Sequence, residues 1–441
     1  MSAASIHEVD EVDVVIVGAG PVGGTLACRL AHAGLRVALI DRAPLPPMEH
    51  PDFDGRAYAI AHGARPLLEG AGVWERLGGA YGPIREIHVS DGKPGRRPSP
   101  LFLHFDVREL GEIPAPEGEE PAFGWMIEAR ELRRALNLAI TEAPGLALFA
   151  PMTAEVKRAA EGVEVRLADG RTLRAALVIA AEGRESPLRR AAGIPVTRFA
   201  YRQSALVTTI AHERPHQGLA LEHFLPAGPI AQLPLPPLAS AEHASAIVWT
   251  ERPEVARALL ALDDRSFIDE LARRLGSYLG ALRPLGRRWV YPLSALIAHR
   301  YYDQRLVLAG DAAHGIHPIA GQGLNLGFQD AIALAELLIE AHAAGRDIGA
   351  PEVLAAYQQR RRPANLLMLA ATDALDRLFS NDLPPLRLAR DLGIAAVHRF
   401  PFLKRAFMRQ AMGLPLFTGL RPALPLPFFR DRGFDRDGDF R

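Results

Sequence analysis

Cysteine is nearly missing from this chain: Cys28 stands alone among 441 residues. An internal disulfide and any cysteine-based metal cluster are thereby excluded. Lysine is almost as scarce, occurring only at Lys93, Lys157 and Lys404, so arginine carries the positive charge. Lys plus Arg and Asp plus Glu both total 51, and so balanced a chain projects no net field toward nucleic acid or another strongly charged partner. No uncharged apolar run reaches the ~20 residues of a spanning helix without proline interrupting it. Residues Met1 to Asp13 carry Glu8, Asp10, Glu11 and Asp13 where a signal peptide would be basic. A cytoplasmic protein is the expectation. Hydrophobic residues make up 49% and charged residues 23%, a globular balance, and the length exceeds one typical domain of ~100–200 residues. Cys28 lies in an apolar helical stretch, where a small buried hydrophobe is expected.

What the chain does have is two glycine-rich strand-to-helix loops, far apart in the sequence. The first follows Val12 to Val17, a β-branched run suited to a strand buried on both faces. It reads Gly18-x-Gly20-Pro21-x-Gly23, and a helix with Leu26, Leu30 and Ala33 on one side comes next. In such a loop the glycines allow a tight turn, close backbone approach to a pyrophosphate and close helix–strand packing. The helix N-terminus adds free N–H groups and positive dipole. A second strand, Arg36 to Ile40, ends at Asp41 with Arg42 beside it, about 20 residues downstream, where an acid meets a ribose hydroxyl. An acid there favours an unphosphorylated ribose, hence FAD or NAD over NADP at this site.

The second loop separates those two. Arg305 to Ala309 reads as a buried strand ending in Gly310-Asp311, and Pro318, Gly321, Gly323, Leu324, Asn325 and Gly327 lead into a helix over Leu324 to Ala341. An NAD dehydrogenase has no need of this second site. An Asp at a strand end suits a ribityl polyol, and a helix dipole suits the negative charge of a reduced flavin ring. FAD, held at both ends, is the cofactor these loops indicate.

This pattern resembles the aromatic-hydroxylase class of FAD-dependent monooxygenases. Gly18 to Gly23 matches the first fingerprint of that class and Gly310-Asp311 its ribityl-contacting motif. The third fingerprint, Asp-Gly in the family, stands here as Glu182-Gly183 after Leu177 to Ala181. Glutamate keeps the charge and adds a methylene. The segments His50–Ile60, Ile87–Asp91, His317–Gly327, Tyr357–Arg361, Thr372–Leu375 and Leu378–Asn381 are similar to the ubiquinone-biosynthesis hydroxylases, above all the 2-polyprenyl-6-methoxyphenol hydroxylase branch. The resemblance spans about residues 12 to 395. It implies an α/β protein: a Rossmann-like FAD-binding domain of the p-hydroxybenzoate-hydroxylase type, an inserted β-sheet substrate domain and a helical C-terminal region. It further implies hydroxylation of a polyprenylated phenol by O2 through a flavin C4a-hydroperoxide, with NAD(P)H as donor. Arg56 and Arg130 occupy the family's arginine positions near FAD, Arg56 toward the ring and pyrophosphate, Arg130 at the dinucleotide; surface salt bridging is the other reading of each. His314 and His317 flank the loop and lack further metal ligands at recognisable spacing, so a structural or flavin-proximal role is expected and no metal. No catalytic nucleophile or triad is evident, and no catalytic residue is assigned.

The organisation expected is FAD-binding segments at 1–80, 126–186 and 291–345, substrate-domain strands at 81–125, a β-rich substrate domain at 187–290, a helical region at 346–425 and a disordered tail at 426–441. Strands at Ala205–Ile210, Leu221–Leu225, Ile230–Leu233 and Ser245–Trp249 are broken into short elements by prolines 226, 229, 234, 236 and 237, and 253–279 reads as amphipathic helix. From about 377 to 410, Arg377, Arg387, Arg390, Arg399, Lys404, Arg405 and Arg409 face only Asp382 and Asp391. Such a stretch lies on anionic lipid, docks another ubiquinone-biosynthesis protein or packs on the core with a solvated face. Peripheral contact with the inner membrane is thus one expectation, and the oligomeric state, a homo-oligomer included, stays open. A flavin halogenase would carry Trp-x-Trp-x-Ile-Pro and an active-site Lys, but the Trp residues stand apart at 74, 125, 249 and 289. Prenyl-chain reduction, hydroxylation at another ring position and a non-catalytic flavin-holding subunit are the remaining alternatives.

Overall fold

Four strands that end level at one edge organise the molecule. Val14–Val17 lies between Val37–Ile40 and Leu177–Ala180, and Leu306–Leu308 follows on the far side of Leu177–Ala180. All four run parallel, and Ile40, Val17, Ala180 and Leu308 stand in register. Every residue of Val14–Ile16 and of the other three strands is buried, as β-branched and leucine-rich runs require when helices cover both faces. Leu146–Phe149 and the short Tyr302–Asp303 complete this six-stranded sheet. These relations come from a computed structural model, which describes residues 9–45, 56–92, 102–111, 113, 118–317, 319–379 and 399–414.

The expected strands and helices are present with shifted ends. The first helix is Pro21–His32, with Leu26 and Leu30 buried and Cys28 inaccessible, its thiol pushed up to about 12 by burial. The helix after the second loop is Gln322–Ala343. A four-stranded sheet, Val9–Glu11, Thr172–Ala175, Val163–Leu167 and Ala154–Arg158, flanks the central one. Ala57–Ala61, Gly124–Glu128 and Gly82–Ile84 form a small three-stranded sheet.

An eight-stranded sheet faces the ends of the parallel strands. Its order is His314–Gly315, Leu282–Ala298, Val196–His212, Ala244–Glu251, Gly228–Pro234, Leu219–Leu225, Glu86–Asp91 and Phe102–Asp106. Short elements are found where the prolines lie, in Leu219–Leu225, Gly228–Pro234 and Ala244–Glu251, whereas the Ala205–Ile210 expectation is corrected: it belongs to Val196–His212, which like Leu282–Ala298 runs for 17 residues, with register shifts that bend the pair. Pro226 lies in the turn between Leu219–Leu225 and Gly228–Pro234, Pro234 ends the second of these strands, and Pro229 pairs with Phe224 and precedes only the ladder with Ala244–Glu251, which starts at Ile230. The amphipathic 253–279 segment forms two helices, Pro253–Ala261 and Asp264–Leu275. They close the outer face, where Phe267 of the second helix joins Leu206, Ile210 and Trp249 of the sheet in one core cluster.

The C-terminal helices are Pro351–Phe379 and Pro401–Ala411. Arg387, Arg390, Asp382 and Asp391, the expected tail, and the His50–Gly55 segment lie outside the described residues. Among the described helices none is long and apolar enough to cross a membrane.

Candidate active site

Because the four strands end in register, the residues that follow them are set side by side. Asp41, Gly18, Ala181 and Ala309 succeed Ile40, Val17, Ala180 and Leu308, so all three glycine fingerprints emerge at one edge. The chain order reverses on either side of Val14–Val17, the point at which ligands seat in open α/β sheets. The loops interlock. A Cβ on Gly18, whose φ is +108°, would stand 2.3 Å from the Ala181 carbonyl oxygen. A Cβ on Gly327 would stand 2.5 Å from the Val22 side chain, which also underlies Gly310. Close packing therefore binds the first loop to the third, and the first helix to the second loop.

A cavity of about 1200 Å³ opens over this edge. The sequence-predicted residues Gly18, Gly20, Pro21, Asp41, Arg42, Arg56, Glu182, Gly183, Asp311, Gly321, Gly323, Leu324 and Asn325 all line it. Gly20 is the N-cap of the first helix and faces open space, so backbone amides and positive dipole point into the cavity. That is a cradle fit for a pyrophosphate. The opposite wall is apolar, built from the inward residues of the eight-stranded sheet, such as Val89, Leu103, Phe105, Leu233 and Val248.

Individual side chains have more local employment than the motifs suggest. Asp41 accepts the Ala19 N–H at 2.7 Å and the Ala43 N–H at 2.9 Å, which fixes the first loop against the carboxylate. Asp311 meets Arg184 at 3.1 Å. Glu182 accepts from the Ser186 hydroxyl and, at 3.2 Å, from the Leu188 N–H, so the longer side chain folds back onto the helix Pro187–Ala191. Burial pushes its carboxyl above the usual range against those hydrogen bonds. The Asn325 amide bridges the backbone of Ala59 and Ala61, both at 2.8 Å, and so ties the second loop to Ala57–Ala61. Arg56 lies 5.7 Å over the Tyr58 and Tyr291 rings.

Three of the described predicted residues stand elsewhere, and a fourth is not described. Gly23 packs against Gly18 and Ala181, and Gly310 against Val22. Pro318 lies outside the described residues. Arg130 is not on the cavity wall; its guanidinium pairs with Glu128 at 2.9 Å. The arginine that reaches the first loop is Arg133, one helical turn on, which is buried and donates to the Ala19 carbonyl. Arg189, also missed in the sequence, is buried and joins the third fingerprint to the second by donating to Ala312 and Arg184 carbonyls at 2.8 and 2.7 Å. Only Arg133's spacing from Arg130 could have signalled either one.

His314 and His317 are buried. His314 pairs with Asp330, which also takes the Gly310 N–H at 3.1 Å and Arg361 at 2.8 Å. Burial pushes the Asp330 carboxyl up, but His314 and Arg361 outweigh it and hold it below the usual carboxylate range. His317 contacts Gln203 at 3.2 Å and accepts from Ile319 N–H; burial lowers its pKa. On the outer face of the sheet, Glu86, His88 and His104 bring one ligand atom each within 4.8 Å of one another. Pairing of two strands creates that group, which sequence spacing does not show. Glu86 there already holds His104 at 2.8 Å, the pattern of a cross-strand ion pair.

Fold and cavity together define a flavin-binding oxidoreductase. Residues 11–372 match the family described as FAD binding domain, and the chain belongs to it, within the FAD-dependent monooxygenases of the aromatic-hydroxylase class. Ubiquinone hydroxylase UbiL of Rhodospirillum rubrum is 49% identical over 403 residues, 91% of this chain and 89% of that protein. The 3-demethoxyubiquinol 3-hydroxylase of Escherichia coli is 35% identical across 91% of this chain and 98% of its own. The solved p-nitrophenol 4-monooxygenase PnpA of Pseudomonas putida has a TM-score of 0.71 over 92% of this chain and 99% of its own, a likeness of fold alone at 19% identity.

Proposed function

We propose that this protein hydroxylates the ring of a polyprenylated phenol, of the 2-polyprenyl-6-methoxyphenol type, in ubiquinone assembly, with NAD(P)H as electron donor. The observation that carries this reading is the extent of apolar lining in the cavity. Besides the glycine loops it takes in the apolar sheet and Leu375, Leu378, Phe407, Met408 and Ala411 on the two C-terminal helices. A simple phenol leaves much of that apolar wall uncovered, whereas a prenyl tail gains about 25 cal/mol for each Å² of apolar surface it buries there. The names of the curated relatives agree in substrate class.

Bound FAD supplies the oxygen-activating chemistry. In this reading Gly18, Gly20 and Pro21 hold its pyrophosphate through backbone amides, with Asp41 and Arg42 at the adenosine. Asp311 meets the ribityl chain, and Gly321, Gly323 and Leu324 present the helix terminus to the ring. Arg56 stands between the two regions. The sheet excludes water and orients the phenol. A second reading, hydroxylation at another ring position, is favoured by the similarity to a 3-demethoxyubiquinol 3-hydroxylase.

Complementation of strains lacking each ubiquinone hydroxylase tests both. Rescue of one strain, with loss of its accumulated intermediate by mass spectrometry, fixes the ring position. Rescue of none, from protein that purifies with a flavin spectrum, overturns the ubiquinone assignment. Protein without flavin absorbance overturns the hydroxylase reading.

A further inference from the structure

We propose that Glu222 is the catalytic base of this site and takes the proton of a substrate phenol seated on the eight-stranded sheet. The assignment rests on the hydroxylase reading above. Strand alternation puts Ala220, Glu222 and Phe224 on the cavity wall, while His223 turns to the opposite face and bonds Ser90 at 2.8 Å. Across the sheet Glu222 stands in a row of apolar partners: Leu103 beside Val89, Val89 beside Glu222, then Ala231, Val248 and Val207. All of them line the cavity. A carboxylate in the middle of such a row contributes nothing to packing.

Four carboxylates line the cavity: Asp41, Glu182, Glu222 and Asp311. Asp41 is held by loop amides, Glu182 by Ser186 and Leu188, and Asp311 by Arg184. Among the described residues, no hydrogen bond or ion pair reaches Glu222. Val89 and Ala231 flank it directly; the one charge the two flanking strands carry on this face is Asp91, which pairs with Phe224 and is not part of the cavity lining. The cavity's charged groups, Arg42, Arg56 and Arg184 with Asp41, Glu182 and Asp311, belong to the loops. Burial alone therefore acts on Glu222 and pushes its carboxyl up to about 7. A base of that pKa is matched to a neutral operating pH.

In the step, the phenolic O–H bond breaks and the proton passes to a Glu222 carboxylate oxygen. The electron pair stays on the phenolate oxygen and enriches the ring carbons ortho and para to it, which then attack the activated oxygen as nucleophiles. Deprotonation consumes no oxidant. Glu222 returns its proton to solvent or product when the aromatic hydroxyl re-forms.

The test uses FAD-loaded protein, NAD(P)H and a phenol carrying a short prenyl tail, with hydroxylated product followed against pH. In the wild type kcat rises as pH passes through about 7. Glu222→Gln loses that rise and falls by about 10²–10⁴-fold, the range for a general base, while FAD affinity stays unchanged. Glu222→Asp, with its base one methylene further back, recovers part of the rate and the pH dependence. The ultraviolet spectrum of the bound phenol gives an independent reading: phenolate in the wild type at mildly alkaline pH, neutral phenol in Glu222→Gln. A Gln variant with wild-type rate, pH profile and phenolate band overturns the assignment and leaves the hydroxylase reading standing. A flavin-loaded wild type that neither binds nor hydroxylates phenols overturns that reading and the base with it.

Discussion

Asp330 shows what one buried charge does for the second glycine loop. Its two oxygens are shared among the Gly310 N–H, His314, Arg361 and the Asn365 amide, with no access to solvent. Removing one member of such a group leaves the others charged and unpaired. Asp330→Ala is expected to cost about 3–5 kcal/mol, read as a shift of the urea midpoint at constant m-value. The sign of the pH dependence follows from a folded pKa below the ordinary 3.8. Its contribution is present above that unfolded value and is lost as pH falls through the folded one, so neutral solutions keep it in full. Glu222 behaves in the opposite sense. Its pKa rises from 4.5 to about 7 on folding, so the stability it contributes is whole below 4.5 and gone above 7. Glu222→Gln should therefore melt higher than wild type in mildly alkaline buffer and level with it in acid. Equal melting temperatures across that range would show that Glu222 is not desolvated.

At the scale of elements, the strand–loop–helix units were readable because each is local. Valines at 14, 15 and 17, glycines at 18, 20 and 23 and an acid at 41 state one unit in consecutive residues. The wall of the cavity was not readable in the same way. Glu222 faces Val89 and Ala231 only after three strands pair, and nothing in its own segment reports those neighbours. Arg133 was not readable for a related reason: one turn of helix separates it from Arg130, and only packing shows that it is Arg133 that reaches the Ala19 carbonyl. Proline did mark the ends of Leu219–Leu225 and Gly228–Pro234, because a turn and a strand end need no ladder N–H. The interlocked loops give this scale its own test. Gly18→Ala places a methyl 2.3 Å from the Ala181 carbonyl at a φ of +108°. Strain of about 1–3 kcal/mol must be relieved by moving the loop, and each 1.4 kcal/mol taken from binding is about tenfold in Kd. Flavin-fluorescence titration should show FAD affinity lowered by about fivefold to about a hundredfold. An unchanged Kd would mean that the first loop does not hold the cofactor.

The whole molecule brings the reactive edge, the apolar sheet and the C-terminal helices around one cavity. Pro401–Ala411 divides its residues between two surroundings. Met408 is buried with Met412 in the core beneath the sheet, whereas Phe402 and Phe407 on the helix and Phe400 before it are 67%, 54% and 48% exposed. Arg399, Arg405 and Arg409 accompany them, and Lys404 is turned inward to Glu109 at 2.6 Å. The described part of this stretch therefore has two faces: one packs on the protein, and the other presents aromatics beside arginines. We propose that an anionic bilayer covers that second face, through aromatic burial and about 1 kcal/mol for each arginine near its surface. Phe407 also lines the cavity, so a prenylated phenol could pass from lipid to the sheet without exposing its tail. Two substitutions that leave the cavity wall alone, Phe400→Ser with Phe402→Ser, should therefore weaken cosedimentation with phosphatidylserine-containing vesicles by about tenfold or more, given ~1.5–3 kcal/mol per fully buried large side chain. Added salt should weaken the wild type as well, and turnover of a short-tailed phenol in detergent-free buffer should be unaffected. If the double variant sediments with the vesicles as the wild type does, the aromatic face serves a protein partner, and the tail must reach the cavity by another route.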